Sequence, residues 1–461
     1  MLGGAVFDRF LDQSPICVMA RATLENVLAP DKLDALFQQA AARQYQRELL
    51  FSTVVNLMSL VVCRAHPSVH AVYQRRKAAI PVSLKAVYDK LNHVEPETSR
   101  ALVRHTATEA VAVMRHLKGA RTSLLPGYQV QILDGNHLQG TEHRLQPLRS
   151  LGGGALPGVC LTVLDPQWQT IGDVIPCEDA HTQECRLLDG ILARVEPQQV
   201  WIADRHFCTS EFLFGLMQRQ ACFVIRQHAA HLRWEPLGKR RRCGRTETGT
   251  VYEQKVRLIH PQTGAQRLVR RITVELDKPT RDGDRELHVL TNLPVRAASA
   301  RRVAELYRTR WTLETAFQEL TTHLRCELNT LGYPPAALFG FCTAAACYNI
   351  FAVLRAALRS AHGAERVEQV SHFYLTEEFC GTYRGMMIAL PPAEWAPFQA
   401  LPARDLARQL KAWAADLDLS LYRKHPRGPK LRRVRPSAPG RHVATARVLK
   451  TRKQNQVTDT T

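Results

Sequence analysis

A regular succession of apolar runs between residues 128 and 226 constrains the fold more than any other feature of the sequence. Short apolar runs bounded by turn residues are typical of buried strands, and longer runs with helical periodicity are typical of helices. The order is three strands, a helix, a strand, a helix and a strand: Tyr128–Leu133, Val159–Leu164, Thr170–Pro176, His181–Val195, Gln199–Ala203, Ser210–Gln220 and Ala221–Arg226. This order predicts an α/β domain with a mixed sheet.

More than half of the net charge of +20 lies in the C-terminal tail, and the rest is spread over the chain with one local basic cluster. Between Leu419 and Thr458 the chain has basic residues but no Asp or Glu. A second basic cluster consists of Lys239, Arg240, Arg241, Arg242 and Arg245. A strongly basic chain attracts polyanions, so DNA, RNA and an anionic membrane all qualify as partners. The alternative is a solvated tail that only increases solubility.

Cysteine spacing and the apolar stretches indicate a soluble protein from a reducing compartment. The 12 cysteines show no paired two-residue spacing, so the sequence indicates neither a zinc site nor a disulfide framework. The most apolar early stretch, residues 49–63, is too short for a membrane span and is interrupted by polar residues. No charged-then-apolar signal sequence opens the chain. We therefore expect a cytoplasmic protein, associated with the nucleoid if DNA is its partner.

Secondary-structure patterns divide the chain into four regions. Residues 1–122 are helical in pattern, and a helix that begins at Ser83 follows the basic segment Gln74–Lys77. This segment fits either a helix-turn-helix or a plain helical bundle. Short strands dominate residues 227–293, and helices return at 299–324 and 335–359. The predicted regions are a helical DNA-binding region (1–122), a catalytic α/β domain (123–226 and 294–390), a β-strand insertion (227–293) and a C-terminal region with a basic tail (391–461).

Two acidic residues directly follow apolar strands, Asp134 after Ile132-Leu133 and Asp204 after Trp201–Ala203. Burying an unpaired carboxylate costs on the order of several kcal/mol, so each must be hydrogen-bonded, ion-paired or bound to a metal. For either residue alone, capping the next turn is the more common role. Together, at the ends of neighbouring strands, they predict a shared acidic site.

A third acidic residue lies in the segment from Tyr307 to Glu314. Tyr307, Arg310 and Glu314 are spaced at i, i+3 and i+7, which places all three on one face of a continuous helix. A phenol, a guanidinium and a carboxylate on one face suit a metal ligand next to phosphate-binding groups. The alternative is a simple surface ion pair between Arg310 and Glu314.

These motifs together resemble the DDE transposases of insertion-sequence family four. Leu133-Asp134-Gly135 is similar to the first motif of that family, and the segment from Ala203 to Phe207 is similar to its second. The third family motif is Tyr, two residues, Arg, three residues, Glu, six residues and Lys. Tyr307, Arg310 and Glu314 match this spacing, whereas Thr321 stands at the Lys position. The similarity runs from about residue 128 to about residue 350.

The resemblance implies a ribonuclease-H-like mixed sheet, interrupted by a β-strand insertion domain and preceded by an all-α DNA-binding region. It implies that Asp134, Asp204 and Glu314 bind two Mg²⁺ or Mn²⁺ ions and catalyse DNA cleavage and strand transfer. The expected partners are double-stranded DNA, as terminal repeats and target, and a second copy of the chain on paired ends. No membrane partner is expected.

Candidate DNA contacts also follow from the resemblance. Tyr307 and Arg310 would hold the backbone near the scissile phosphate, and Arg325 either replaces the missing lysine or leaves that role unfilled. Trp234 is a candidate for stacking on a displaced base, although a tryptophan in a β region is more often part of a core. The basic loop is expected to bind DNA through Lys239, Arg240, Arg241 and Arg242.

Two other functions remain open from the sequence. A ribonuclease-H-like nuclease would cut DNA without joining strands. A non-catalytic DNA-binding protein derived from a transposase would bind DNA without needing the three acidic residues. The presence of all three acids argues against the second alternative.

Overall fold

A nine-stranded mixed sheet runs through the protein, which a computed structural model describes over residues 4–44, 46–228, 232–280, 283–425 and 442–458. The described residues form eleven strands: β1 (Gln129–His137), β2 (Ala155–Leu156), β3 (Val159–Asp165), β4 (Thr170–Cys177), β5 (Gln199–Ala203), β6 (Cys222–Arg226), β7 (Arg233–Thr246), β8 (Gly249–Ile259), β9 (Gln266–Leu276), β10 (Glu286–Thr291) and β11 (Val443–Ala444). Strands β2 and β11 form a separate parallel pair. The fold is therefore mixed α/β, as the sequence predicts.

The strands of the large sheet lie in the order β4-β3-β1-β5-β6-β10-β9-β8-β7. Strand β3 pairs antiparallel with both β4 and β1, whereas β5 pairs parallel with both β1 and β6. Strand β10 pairs antiparallel with β6, and β9, β8 and β7 follow outward as an antiparallel ribbon. The strands that the sequence predicts as a separate insertion therefore belong to the large sheet, which they join through the pairing of β10 with β6.

Helices precede the strands of the large sheet in the chain, follow them and occur between them. The described residues form seventeen α-helices: α1 (Ala5–Gln13), α2 (Pro15–Val27), α3 (Pro30–Ala40), α4 (Phe51–Val62), α5 (Val69–Arg76), α6 (Leu84–Asn92), α7 (Pro96–Leu117), α8 (Leu188–Leu192), α9 (Ser210–Gln218), α10 (Ala300–Arg308), α11 (Trp311–Thr322), α12 (Pro334–His362), α13 (Ala364–Glu368), α14 (His372–Ala389), α15 (Pro392–Gln399), α16 (Ala403–Ala415) and α17 (Thr445–Thr458). Helix α6 begins where the sequence predicts it, because the Ser83 hydroxyl accepts a hydrogen bond from the Ala86 amide at 3.2 Å.

The two faces of the sheet are buried in two hydrophobic cores. Ile132 and Ile202 belong to the core that contains α7 and α12, and Leu133 and Ala203 belong to the core that contains α8 and α9. This split follows from the alternation of side chains along a strand. Both faces are covered, which explains why β1 and β5 are apolar runs.

Helix α12 is the central helix of the larger core. It is the one helix in the described part of the chain that is long and apolar enough to cross a membrane, and its most apolar window is entirely buried inside the protein. It packs against α7, α2, α4, α16 and β4. Its apolar surface is therefore accounted for by contacts within this chain.

Two sequence predictions about element bounds are wrong. The segment predicted as one helix, His181–Val195, contains a 3-10 helix at Glu184–Leu187 and the short helix α8. The carboxylate of Asp179 accepts a hydrogen bond from the His181 amide at 3.0 Å, which holds the first residues in a turn. Strand β1 does not end before Asp134 but continues to His137, because β3 pairs with residues 134–137 after the pairing with β5 has ended.

Candidate active site

Asp134 and Asp204 lie side by side where the parallel pairing of β1 and β5 ends. The last paired residues are Leu133 and Ala203, and each acid is the next residue of its strand or loop. Asp204 begins the 3-10 helix Arg205–Phe207, and its Oδ1 accepts a hydrogen bond from the Arg205 amide at 2.6 Å. The structure therefore brings the first two predicted acids together at one edge of the parallel strands.

The helix that carries the third acid is interrupted, which corrects the prediction of one continuous helix over 299–324. Tyr307 is in the last turn of α10, Arg310 is the residue before α11, and Glu314 is in the first turn of α11. The Thr309, Arg310, Thr312 and Leu313 amides each bond to the carbonyl three residues earlier. Such bonds tighten the backbone into a 3-10 turn, so the three side chains are not on one straight helix face.

Arg310 nevertheless joins the third acid to the first. Its Nη1 donates to Asp134 Oδ2 at 2.8 Å, and its Nη2 donates to Glu314 Oε1 at 2.5 Å. One planar guanidinium thus bridges two carboxylates from different elements. Arg310 is 8% exposed, so this bridge is largely shielded from water.

Tyr307 connects the same segment to the second acid. Its hydroxyl donates to Asp204 Oδ1 at a long distance of 3.4 Å, and its ring is buried in the larger core. Burial, together with the negative charge of Asp204, raises the pKa of Tyr307 well above its usual range. The phenol therefore stays protonated and remains a hydrogen-bond donor near neutral pH.

Burial dominates the electrostatics of Asp134. It raises the pKa of this carboxyl from 3.8 to about 6, although Arg310 and the Gly135 amide oppose the rise, and the nearby acids Glu184 and Asp204 add to it. For Arg310, burial lowers the pKa, but Asp134 and the other surrounding acidic groups outweigh burial and raise it. Both pKa values are therefore raised, but the effect on charge differs: the rise disfavours the charged form of Asp134 and favours the charged form of Arg310.

The arrangement fits a divalent cation once Arg310 is considered as the positive charge already present. In the described residues no three His, Cys, Asp or Glu side chains are arranged as a metal site. Asp134 and Glu314 instead both contact the guanidinium, so one cation already lies within reach of both carboxylates. Carboxylate oxygens are the ligands that Mg²⁺ and Mn²⁺ favour, and Asp204 lies next to them. The donor set fits such ions if Arg310 moves aside.

Glu184 is a residue of this site that the sequence did not single out. Its carboxylate lies against the backbone of Gly135, where an added Cβ would come within 1.9 Å of Glu184 Oε1. Its Oε1 is also 3.8 Å from His137 Nδ1. An added Cβ at position 135 would require the Glu184 side chain to move, so the glycine lets this carboxylate approach the backbone directly after Asp134. The sequence carries no signal for Glu184, because its neighbours resemble an ordinary helix start.

Glu319, the other acid of α11, points away from the three candidate acids. Its carboxylate is hydrogen-bonded to His372 on α14 and lies 3.6 Å from Arg355 on α12. Burial raises its pKa, but the hydrogen bond and charge of His372 outweigh burial, and the pKa of Glu319 is lowered. Glu319 therefore fastens α11 to the core.

The remaining candidate DNA contacts are scattered over the surface. Arg325 donates from Nη1 to the Pro67 carbonyl at 3.0 Å, and the Thr321 hydroxyl bonds to its own helix at the Phe317 carbonyl. Trp234 is half-buried against the smaller core, with the Arg271 guanidinium 5.0 Å from its ring centre. Trp311, which the sequence reading missed, is 62% exposed directly after Arg310.

The basic cluster, predicted to be a loop, instead lies along the exposed edge strand β7, which corrects that prediction. Arg240 pairs with Glu286 at 2.7 Å and lies over the ring of Tyr252, and Arg241 is 3.6 Å from Glu253. Lys239 and Arg242 have no ion-pair partner in the described part of the chain. Half of the basic residues predicted as the C-terminal tail lie in residues 426–441, outside the described residues.

Comparison with known proteins gives a matching family model and several similar solved structures. The model of the family described as "Transposase DDE domain" matches residues 125–350, which supports a DDE transposase. No curated protein matches the chain. Among solved structures, the chain is similar to the piggyBac transposase in a synaptic complex with hairpin DNA. The identity is 9% and the TM-score is 0.36, over 90% of this chain and 87% of that one.

Proposed function

We propose that this chain is a transposase of the insertion-sequence-family-four type, which cuts and joins DNA with divalent metal ions held by Asp134, Asp204 and Glu314. The observation that carries the proposal is the bridge from Asp134 through Arg310 to Glu314, with Asp204 directly after the adjoining parallel strand β5. Three acids far apart in sequence have no common structural need to meet at one edge. The match to a transposase DDE domain covers all three.

The ribonuclease-H-like character of the sheet is part of this proposal. Three antiparallel strands followed by two parallel ones, in the order β4-β3-β1-β5-β6, support it. In this arrangement β1 is central and supplies Asp134, its parallel neighbour β5 leads to Asp204, and a later helix supplies Glu314. The predicted division into a helical DNA-binding region, a split catalytic domain, an insertion and a C-terminal region belongs to the same proposal.

Each residue has a definite task in the proposed reaction. Asp134, central in the site, would hold two divalent ions together with Asp204 and Glu314. Such ions would supply an activated attacking oxygen and neutralise the charge that builds on the phosphate. Tyr307, held protonated, keeps Asp204 oriented. Arg310 carries a permanent positive charge that suits a phosphate oxygen of the DNA backbone.

The proposed partner is double-stranded DNA, both as the ends of an insertion element and as target. Strand joining at two ends requires two active sites, so we propose a homodimer on paired ends. The exposed basic face of β7 and the basic C-terminal region would supply electrostatic attraction to the backbone. Trp311 is exposed beside Arg310, so its ring is available to stack on a base. Trp234 is half-buried against the smaller core, so less of its ring is available for stacking.

A cleavage and strand-transfer assay tests this function. The substrate is DNA carrying the sequences that border the gene, with Mg²⁺, and the variant is Glu314→Gln. We expect wild type to cut and join, and the variant to bind DNA but to cut at least about a hundredfold more slowly, because it loses charge that would hold a metal ion. The matched control is Glu305→Gln, since the side chains of Glu305 and Glu314 are both 39% exposed but Glu305 pairs with Arg302 instead.

Three results would contradict parts of the proposal. Cleavage without any joined product would identify a nuclease of the same fold. DNA binding without cleavage by wild type under either metal would identify a non-catalytic DNA-binding protein. Equal cleavage by wild type and Glu314→Gln would remove Glu314 from the site while leaving the transposase reading intact.

A further inference from the structure

Arg310 occupies the position where positive charge is needed to hold the acids together. Its two terminal nitrogens contact Asp134 and Glu314 at 2.8 and 2.5 Å, and its Nε, also buried, has no hydrogen-bond partner in the described residues. The side chains of Asp134 and Arg310 are 19% and 10% exposed. In the DNA-free chain one internal positive charge thus already offsets part of the negative charge of the site.

This bridge and a bound dication exclude one another. The guanidinium fork uses an oxygen from each of the two carboxylates, and a metal ion that binds both needs those oxygens at about 2.0–2.1 Å for Mg²⁺. A cation of like charge cannot share that space. An arginine side chain does not lose its proton in proteins, so the charge must move away and cannot simply be neutralised.

The displaced guanidinium needs another anion, because leaving a largely buried charge unpaired is costly. A DNA phosphate at the edge of the site provides one, and a planar guanidinium binds phosphate through two parallel hydrogen bonds. The Arg310 guanidinium lies 5.4 Å from the ring centre of the exposed Trp311, so it lies between the acids and a solvent-exposed side chain.

We propose that Arg310 couples DNA binding to metal binding: without DNA it neutralises Asp134 and Glu314, and a DNA phosphate draws it away and opens the acids to the metal ions. This inference rests on the proposed function, since it concerns the regulation of the same site. By linkage, DNA must then raise metal affinity by the same factor by which metal raises DNA affinity. The device would keep a DNA-cutting site inactive until a substrate phosphate is present.

The test measures Mn²⁺ affinity directly, by titration calorimetry and by the electron paramagnetic resonance signal of free Mn²⁺. Wild type, Arg310→Gln and Arg308→Gln are compared with and without a duplex that carries the sequence bordering the gene. Arg308→Gln is the matched control, because Arg308 pairs with the exposed Glu247 at 2.9 Å and does not contact the candidate acids. Circular dichroism establishes that each variant is folded.

Without DNA, we expect Arg310→Gln to bind Mn²⁺ at least about tenfold more tightly than wild type, whereas Arg308→Gln resembles wild type. DNA should raise the Mn²⁺ affinity of wild type by a similar factor and that of Arg310→Gln much less. Cleavage by Arg310→Gln should nevertheless fall, since its phosphate contact is lost. A merely structural arginine would not increase metal affinity when removed.

Equal or weaker Mn²⁺ binding by DNA-free Arg310→Gln, or equal wild-type affinity with and without DNA, would overturn the inference. If Arg310→Gln does not fold, Arg310→Lys takes its place, because lysine keeps the charge but lacks the fork that bridges both acids. It should also bind Mn²⁺ more tightly than wild type without DNA. An Asp134→Asn control separates the two proposals: Mn²⁺ binding to wild type with DNA that is insensitive to Asp134→Asn would contradict the metal site itself.

Discussion

At the scale of single residues, the candidate site holds more negative than positive charge in a largely buried position. Asp134 is buried beside Glu184 and Asp204, and a single guanidinium does not fully compensate these acids. Buried acids that are not fully neutralised are typical of functional sites, because they lower the stability of the fold unless a cation is bound. The residue types and their spacing could be read from the sequence. Their bridge through Arg310 could not, because it depends on a break in the helix that local propensity does not reveal.

Asp134→Asn should stabilise the metal-free protein above about pH 6. The folded-state pKa of about 6 lies above the ordinary value of 3.8, so the folded protein holds the proton more tightly than the unfolded chain. The contribution of Asp134 to stability is therefore fully present below the unfolded value and is lost as pH rises through about 6. Asparagine carries no charge at any pH, so the variant does not suffer this loss. Its free energy of unfolding should exceed that of wild type by about 1–3 kcal/mol at pH 8.

Thermal unfolding in the presence of a chelator measures this effect. We expect a higher melting temperature for Asp134→Asn than for wild type at pH 8, and a difference that shrinks toward pH 4. A lower melting temperature for the variant at pH 8 would mean that the ion pair with Arg310 outweighs the cost of burial.

At the scale of elements, most strands were predictable and the helical joints were not. The β5 bounds follow directly from the sequence, since a buried parallel strand is an uninterrupted apolar run. The break between α10 and α11 has no glycine or proline to mark it, and its 3-10 turn is recognised only by its hydrogen bonds. The same holds for the segment before α8, where the turn at Asp179 shortens the helix.

The basic edge strand β7 should contribute to DNA affinity through charge alone. Replacing Lys239 and Arg242 together with Ala should weaken DNA binding uniformly across sequences. It should also reduce the slope of log affinity against log salt by about two, at roughly 0.9 per phosphate contact. Fluorescence anisotropy at several salt concentrations measures both quantities.

The matched control replaces Arg408 and Lys411, two exposed basic residues of α16. This pair changes net charge equally but lies on a different element. If both double variants reduce the salt slope alike, β7 is not a DNA-binding surface and only net charge matters.

At the scale of the whole molecule, the β-rich segment is continuous with the sheet that carries the acids. Strand β10 pairs with β6, and α10 packs against β6, β7 and β8 before the chain reaches Arg310 and Glu314. The sequence predicted these strands but not their pairing, because alternation along a strand does not specify its partner. Helix α12 and the Glu319–His372 pair then fix α11 to the helical core. The position of Glu314 thus depends both on the packing of α10 against the sheet and on the attachment of α11 to the helical core.

Iron-directed cleavage of the polypeptide tests most directly whether the three acids hold metal. Fe²⁺ replaces Mg²⁺ in the protein bound to end DNA, and ascorbate with peroxide generates radicals that cut the backbone close to the bound ion. We predict fragments that end near Asp134, Asp204 and Glu314, all suppressed by excess Mg²⁺. Cuts that cluster instead around Glu319 and His372, or cuts that Mg²⁺ does not suppress, would contradict the account.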